Sequence, residues 1–145
     1  MRSRRVVLLL AGGALFAAAL CYQLMYPTYA GPIIDAPTAF RQADAGEIVL
    51  VDIRRPDEWQ ETGTGQGALL LDLRKPDFID RLTNLVQGDR TRPIALICAR
   101  GVRSARLANL LTENGFSQVA NVAEGMLGSS DGPGWIARGL PLSVD

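Results

Sequence analysis

Four short, mostly apolar runs constrain this fold most strongly, and they occupy residues 48–51, 68–71, 94–97 and 119–122. Each is too short for a helix, so each is predicted to be a strand buried in a sheet. Helical patterns alternate with them over residues 36–45, 78–86 and 103–114. This alternation predicts an α/β fold, a parallel β-sheet flanked by helices on both faces.

Local signals define several of the predicted elements. Asp35 is a suitable N-cap for the first helix, and Gly115 is a suitable C-cap for the last. Residues 56–59 open a short helical turn, and the glycine-rich residues 62–67 are predicted to be a loop. In the last helix the predicted common face consists of Leu107, Leu110 and Leu111.

The first thirty residues form a separate unit. A basic start with Arg2, Arg4 and Arg5 precedes the uncharged residues 6–22, and a small residue, Ala30, follows. This layout is typical of an export signal cleaved after Ala30. The uncharged stretch 6–26 is also long enough for an uncleaved N-terminal membrane anchor. Either reading leaves positive charge in the cytoplasm and exports residues 31–145, so a bacterial periplasm is expected.

Composition excludes several functional classes. The sequence has no histidine and two cysteines, Cys21 and Cys98, which excludes Ser-His-Asp and Cys-His pairs and four-thiolate metal sites. We therefore predict neither a metal nor a cofactor. The formal net charge is zero, and removing three arginines with residues 1–30 leaves 12 basic and 15 acidic side chains. No nucleic-acid partner is expected for such a chain.

Cys98 is the strongest candidate for a reactive group. It ends the predicted strand 94–97, and chemistry in parallel sheets collects at the carboxyl ends of strands. Loop N–H groups, the start of a helix and two arginines all favour a thiolate there. The alternative is an inert cysteine that only fills space in the core. The loop that follows Cys98 consists of Ala99, Arg100, Gly101, Val102, Arg103 and Ser104.

This loop resembles the Cys-x-x-Gly-x-Arg-Ser loop of the rhodanese family of sulfurtransferases. Other segments in order along the chain are similar to family motifs, although the histidine that many members carry near Gly63 is absent. The resemblance covers roughly residues 33–145. The similar segments are Asp52-Ile53-Arg54, Glu58-Trp59, Gly63 to Ala68, Glu124-Gly125-Met126, Gly134-Trp135-Ile136 and Gly139-Leu140-Pro141.

The resemblance implies a mechanism. Cys98 would take a sulfane sulfur from a small anionic donor such as thiosulfate, and its persulfide would pass that sulfur to a thiophilic acceptor, which could be a protein. Arg100 would bind the donor's oxygens, whereas Arg103 would either do the same or pair with Asp52 or Glu58 and hold the loop. Ser104 is expected to cap or brace the loop. Asp52 and Arg54 are expected to form a structural pair beneath it.

Two other functions remain as alternatives. Cysteine-dependent phosphatases place five residues between cysteine and arginine, whereas four separate Cys98 from Arg103, so a phosphatase is disfavoured. An exported sulfur carrier or docking module of the same fold would keep Cys98 without turning over small substrates.

Overall fold

The computed structural model describes residues 16–22 and 29–143. Strands and helices between residues 29 and 143 are numbered separately in chain order. The strands are β1 (Ile33–Ile34), β2 (Val49–Asp52), β3 (Thr64–Gly65), β4 (Leu69–Leu70), β5 (Ile94–Ile97), β6 (Val119–Val122) and β7 (Leu142–Ser143). The helices are α1 (Ala36–Asp44), α2 (Pro56–Thr62), α3 (Phe78–Leu85) and α4 (Val102–Glu113).

Five strands form a parallel sheet in the order β1-β6-β5-β2-β4. Strand β5 lies at its centre, and its neighbour β2 pairs with it from Val49 opposite Ile94 to Asp52 opposite Ile97. All four residues of β5 are buried, which explains its continuous apolar sequence. The predicted parallel α/β fold is confirmed.

Helices cover both faces of this sheet. On one face, Ile94 and Leu96 of β5 pack in a cluster with buried residues of α3 and α4. On the other face, Ala95 and Ile97 pack with α1 and with Trp135. The alternating residues of one central strand therefore support two separate core layers.

Helix α1 begins as predicted, whereas α4 ends at Glu113, one residue before the predicted end. The Asp35 carboxylate accepts a hydrogen bond from the Thr38 N–H at 2.8 Å, which satisfies one free donor of the first turn of α1. Asn114 is the C-cap of α4, and Gly115 follows it with a φ of 86°. Glycine adopts this left-handed conformation without a steric penalty.

Three local predictions were wrong. Residues 64 and 65 of the predicted loop form β3, which pairs antiparallel with β7 in a second sheet. The predicted strand 68–71 is reduced to Leu69 and Leu70, both about two-fifths exposed because β4 is an edge strand. Leu110 does not share the buried face of Leu107 and Leu111 but is exposed.

Only part of the predicted export or anchor segment can be described. Residues 16–22 are helical and exposed, and the remainder of the uncharged stretch, residues 6–15 and 23–26, lies outside the described residues. Within residues 16–22 and 29–143, no helix has the length and apolar character needed to cross a membrane.

Candidate active site

The sheet topology places Cys98 in a crevice. The chain leaves β2 towards β4 on one side, whereas it leaves β5 towards β6 on the other. Two adjacent strands with diverging connections create a crevice at their carboxyl ends, where α/β proteins bind ligands. Cys98 directly follows β5 there, and Asp52 ends β2 beside it.

The Cys98 thiol is held by its own loop. The Gly101 N–H donates a hydrogen bond to Sγ at 3.2 Å, and Ser104 Oγ lies 3.3 Å from the same sulfur. The Ser104 hydroxyl also donates to the Gly101 carbonyl at 3.0 Å, which braces the turn. Gly101 is the N-cap of α4, so the sulfur lies at the positive end of a twelve-residue helix. The Gly101 N–H and the helix terminus therefore place positive electrostatic potential at the sulfur.

A second segment supports the loop from behind. The Met126 N–H donates a hydrogen bond to the Cys98 carbonyl at 2.9 Å, and the Leu127 N–H donates one to the Ala99 carbonyl, also at 2.9 Å. Gly101 has a φ of 82°, and a Cβ added there would lie 2.0 Å from the Ala123 carbonyl oxygen. Only glycine fits this position. Residues 124–126 resemble a family motif, but this supporting role could not be predicted from the sequence.

Glu124 fixes the supporting segment. Its buried carboxylate accepts hydrogen bonds from the Ala36 N–H at 2.7 Å and the Gly134 N–H at 2.8 Å. The Arg138 guanidinium also donates to it. Burial opposes ionisation, but the hydrogen bonds from Arg138 and the two backbone groups lower the Glu124 pKa below its usual value. This role of Glu124 could not be predicted from the sequence, because its partners Ala36, Gly134 and Arg138 are not adjacent to it in the chain.

Arg103 pairs with Glu58 rather than pointing freely into the crevice. Its two terminal nitrogens donate to the two Glu58 oxygens at 2.8 and 2.6 Å. The hydrogen bond from Arg103 dominates the lowering of the Glu58 pKa to about 2. Glu58 in turn raises the pKa of Arg103, and the nearby Cys98 side chain raises it further. Of the two predicted arrangements of Arg103, the structure contains the ion pair.

The predicted Asp52–Arg54 pair forms at the end of β2, whose last residue lies opposite Ile97, and it is completely buried. Arg54 donates through Nε and Nη2 to the Asp52 carboxylate. Its remaining donors bind Thr62 Oγ1 at 2.8 Å, the Gly63 carbonyl at 2.8 Å and the Glu58 carbonyl at 3.3 Å. No Arg54 donor is left for a ligand, and the pair attaches α2, which carries Glu58, to β2.

Arg100 differs from the other two site arginines because it is exposed. Its one hydrogen bond is from Nη1 to the Gly128 carbonyl at 3.2 Å. Val102 is exposed beside it, and Ala99 is half-buried. Arg100 therefore has donors available for an anion. Among the described residues, no three His, Cys, Asp or Glu side chains cluster closely enough to hold a metal ion.

The sheet and the Cys98 loop define a class of protein, a parallel α/β domain in which a cysteine lies between the central strand and the N-terminus of the following helix. The sequence profile of the rhodanese-like domain matches residues 36–130. The chain therefore belongs to the rhodanese-like domain family, and the resemblance seen in the sequence is confirmed.

Relatives of the chain include both characterised and uncharacterised proteins. It is 31% identical over 103 residues to the thiosulfate sulfurtransferase GlpE of Actinobacillus pleuropneumoniae, covering 61% of this chain and 90% of that protein. It is 30% identical over 98 residues to an uncharacterized protein of Rickettsia conorii, covering 63% of this chain and 80% of that protein.

A solved structure shows the same fold. The polysulfide-sulfur transferase homodimer of Wolinella succinogenes superimposes with a TM-score of 0.67 at 23% identity, covering 92% of this chain and 93% of that one.

Proposed function

We propose that the protein is a sulfurtransferase that carries a sulfane sulfur on Cys98. The observation that supports this most directly is the Cys98 sulfur itself, which accepts the Gly101 N–H at the start of α4. The same backbone donors and helix terminus that stabilise a thiolate would stabilise a persulfide anion. A relative that is a thiosulfate sulfurtransferase supports an anionic donor of that class.

The proposed reaction has two half-steps. The Cys98 thiolate attacks the outer sulfur of thiosulfate, the sulfur–sulfur bond breaks, and sulfite leaves with the bonding electron pair. An acceptor nucleophile then attacks the outer sulfur of the Cys98 persulfide, and Cys98 leaves as a thiolate. With cyanide as acceptor the product is thiocyanate, and no cofactor or metal takes part.

Arg100 and Arg103 have different roles in the proposed reaction. Arg100 binds the sulfonate oxygens of the donor, because its donors are largely free and exposed. Arg103 is a positioning residue, because Glu58 already accepts from both of its terminal nitrogens. Ser104 braces the loop through the Gly101 carbonyl.

Steady-state turnover tests the proposal. Purified full-length protein is supplied with thiosulfate and cyanide, and thiocyanate formation is measured for the wild type, Cys98→Ser and Cys21→Ser. Cys21 lies outside the domain on the helical residues 16–22, so its variant is a matched control for loss of a thiol. We expect activity in the wild type and Cys21→Ser and none in Cys98→Ser. Equal activity in all three proteins would refute the role of Cys98.

The gain of sulfur on Cys98, measured by intact mass after incubation with the donor, distinguishes a sulfur carrier from a docking module. A carrier would accept sulfur on Cys98 but release it slowly to cyanide. A docking module would accept no sulfur from thiosulfate or from a persulfide donor.

We also propose that residues 31–145 function outside the cytoplasm. The basic start and uncharged stretch of residues 1–30 support this. N-terminal sequencing of the protein isolated from its native cells tests the two routes. A new terminus at Gly31 indicates cleavage, whereas an intact terminus in the membrane fraction indicates anchoring. An intact terminus in the cytosol would refute export.

A further inference from the structure

Tyr29 belongs to the folded domain although it precedes Ala30, the predicted cleavage position. Its side chain is 9% exposed and packs in the core cluster with buried residues of α3 and α4. Its hydroxyl donates a hydrogen bond to the Val119 carbonyl at the start of β6. Cleavage after Ala30 would therefore remove a core aromatic ring and deprive a buried carbonyl of this donor, and both changes are costly.

The residues that follow Tyr29 are adapted to it. A Cβ added at Gly31 would clash with the Tyr29 ring and hydroxyl, so a side chain at this position is incompatible with the packing of Tyr29. The Pro32 carbonyl then accepts a hydrogen bond from the Asn121 N–H at 2.9 Å, and β1 follows directly. Residues 29–34 thus form one continuous part of the domain, and the predicted cleavage position lies inside it.

The uncharged stretch of residues 6–26 is close to Tyr29 along the chain. Two residues separate them, and an extended chain spans at most about 3.6 Å per residue, so the chain lets Tyr29 lie no more than roughly 11 Å from the end of the stretch. A stretch of this length is sufficient to cross a bilayer, whose headgroup layers are each only about 5–8 Å thick. In its described part, residues 16–22, the helix exposes the apolar side chains of Phe16 and Leu20. A domain held by this stretch therefore has Tyr29 at the headgroups or just outside them.

The surface beside Tyr29 is apolar and open. Tyr29, Ile33 and Val102 line a pocket of about 400 Å³, and we call these three residues the β1 surface. Ile33 and Val102 are 58% and 41% exposed, which is unusually open for branched apolar side chains. Strand β1 is at the edge of the five-stranded sheet, and Gly101, whose N–H donates to Cys98 Sγ, lines the same pocket. The exposed apolar surface therefore adjoins the reactive loop.

We propose that the protein keeps residues 1–30 and that the uncharged stretch 6–26 tethers the domain to a lipid bilayer, with the β1 surface against the headgroups. The place of Tyr29 in the core opposes cleavage after Ala30, and the short connection from the stretch brings the β1 surface to the bilayer. The Cys98 loop then works close to the membrane surface. This inference does not depend on the sulfur transfer proposed above, but it uses the same uncharged stretch as the proposed export.

Thermal unfolding of the full-length protein in detergent tests the place of Tyr29 in the domain. Tyr29→Ala should lower the unfolding midpoint by about 10 °C or more, as for an aromatic side chain removed from a core. Tyr29→Phe loses only the hydroxyl, so it should give a smaller shift that can be measured even where Tyr29→Ala does not fold. Phe16→Ala removes an exposed aromatic ring and is the matched control, with the wild-type midpoint expected. Wild-type midpoints in both Tyr29 variants would show that the domain begins after Ala30, and would overturn the inference.

Lipid quenching tests the orientation of the domain. Full-length protein with Cys21→Ser and Cys98→Ser receives one fluorophore-labelled cysteine, through either Ile33→Cys or Leu69→Cys. Leu69 is the matched control, an exposed apolar residue on the opposite edge of the sheet, four strand spacings of about 4.8 Å away. Each protein is inserted into vesicles of phosphatidylethanolamine and phosphatidylglycerol that carry spin-labelled headgroups, which quench nearby fluorophores. We expect the quenching to be several times stronger at Ile33→Cys than at Leu69→Cys.

Two results would overturn the inference. Quenching that is equal at the two positions, or stronger at Leu69→Cys, would show that the β1 surface does not face the bilayer. A terminus at Gly31 in the protein from its native cells would show that the tether is removed. Neither labelled protein contains Cys98, so these results leave the sulfur-transfer proposal unchanged, and that proposal fails only if the wild type accepts no sulfur. A tethered domain on the cytoplasmic side would contradict export alone.

Discussion

Two neighbouring strands lead into the same three-residue arrangement, Asp52-Ile53-Arg54 starting at the last residue of β2 and Asp72-Leu73-Arg74 starting two residues after β4. In both, the arginine N–H donates to the aspartate Oδ1 at 3.0 Å. In both, Nη2 of the arginine meets Oδ2, at 2.8 Å after β2 and 2.7 Å after β4. In each arrangement the aspartate and the arginine therefore close a hydrogen-bonded ring, and the local geometry of the two rings is nearly identical.

The surroundings of the two Asp–Arg pairs differ. The Arg54 side chain is 1% exposed and also donates hydrogen bonds to Thr62 and to the Gly63 and Glu58 carbonyls. The Arg74 side chain is 58% exposed, and within residues 16–22 and 29–143 its hydrogen bonds go to Asp72 alone. The first pair therefore connects β2 to α2, and α2 carries the Glu58 that holds Arg103 at the Cys98 loop. The comparison shows that an Asp-x-Arg sequence fixes a local shape, while the elements packed over it determine its role.

Removing the buried arginine should have the largest effect. Arg54→Met leaves the buried Asp52 carboxylate without its charged partner, so we expect a loss of about 3–5 kcal/mol in the free energy of unfolding. Urea denaturation measures this. Adding Asp52→Leu to the same protein should recover part of the loss, because it removes the unpaired charge. A loss below about 1 kcal/mol would contradict the distinction between the two pairs.

The substitution of Glu58 tests the connection between α2 and Arg103 of the Cys98 loop. Glu58→Gln should cost about 1–2 kcal/mol at neutral pH, because the Glu58–Arg103 pair is partly exposed. Glu58 has a folded-state pKa of about 2 against an ordinary value of 4.5. Its stabilisation is therefore complete above pH 4.5 and is lost as the pH falls towards 2. Denaturation from pH 7 downwards should show the two proteins converging, and a constant gap would contradict this.

Arg100 represents the opposite case, an arginine with free donors. Arg100→Met should lower kcat/KM for thiosulfate about tenfold through lost charge-assisted hydrogen bonds. Its unfolding free energy should change by less than about 0.5 kcal/mol, since the residue is exposed. Arg106→Met, also exposed on α4, is the matched control for loss of a positive charge. Equal kcat/KM in the two variants would remove Arg100 from the donor site.

Arg74 should give the smallest effect. Arg74→Met is the same substitution as Arg54→Met in the same local ring, but water can replace the exposed guanidinium. We expect a loss of only about 0.5–1 kcal/mol in the free energy of unfolding, because Asp72 is buried but Arg74 is exposed, and no change in the thiosulfate activity. A loss comparable to that of Arg54→Met would show that the ring itself, and not its surroundings, determines the energetics.

The sequence predicted those parts of the fold whose signal is local. Strand β5 could be predicted because burial on both faces requires a continuous apolar run, and α1 because Asp35 caps it. Strands β1, β3 and β7 could not be predicted, because each has two residues and depends on a distant partner. Ile33 pairs with Asn121, and Thr64 pairs with Ser143.

The same division holds at the site. The sequence alone predicted Cys98 and its loop as the candidate site, since the cysteine, glycine and arginines are contiguous. It left two arrangements open for Arg103, because the choice depends on Glu58, 45 positions away. The support from the Met126 and Leu127 N–H groups has no side-chain signature, so only the structure could reveal it.

The central claim is that sulfur travels on Cys98, and intact mass under non-reducing conditions tests it most directly. Full-length wild type, Cys21→Ser and Cys98→Ser are each incubated with thiosulfate and weighed before and after cyanide. We predict that the first two gain one sulfur, about 32 Da, lose it on cyanide, and that Cys98→Ser gains none. A gain of sulfur by Cys98→Ser, or no gain by the wild type, would contradict the account.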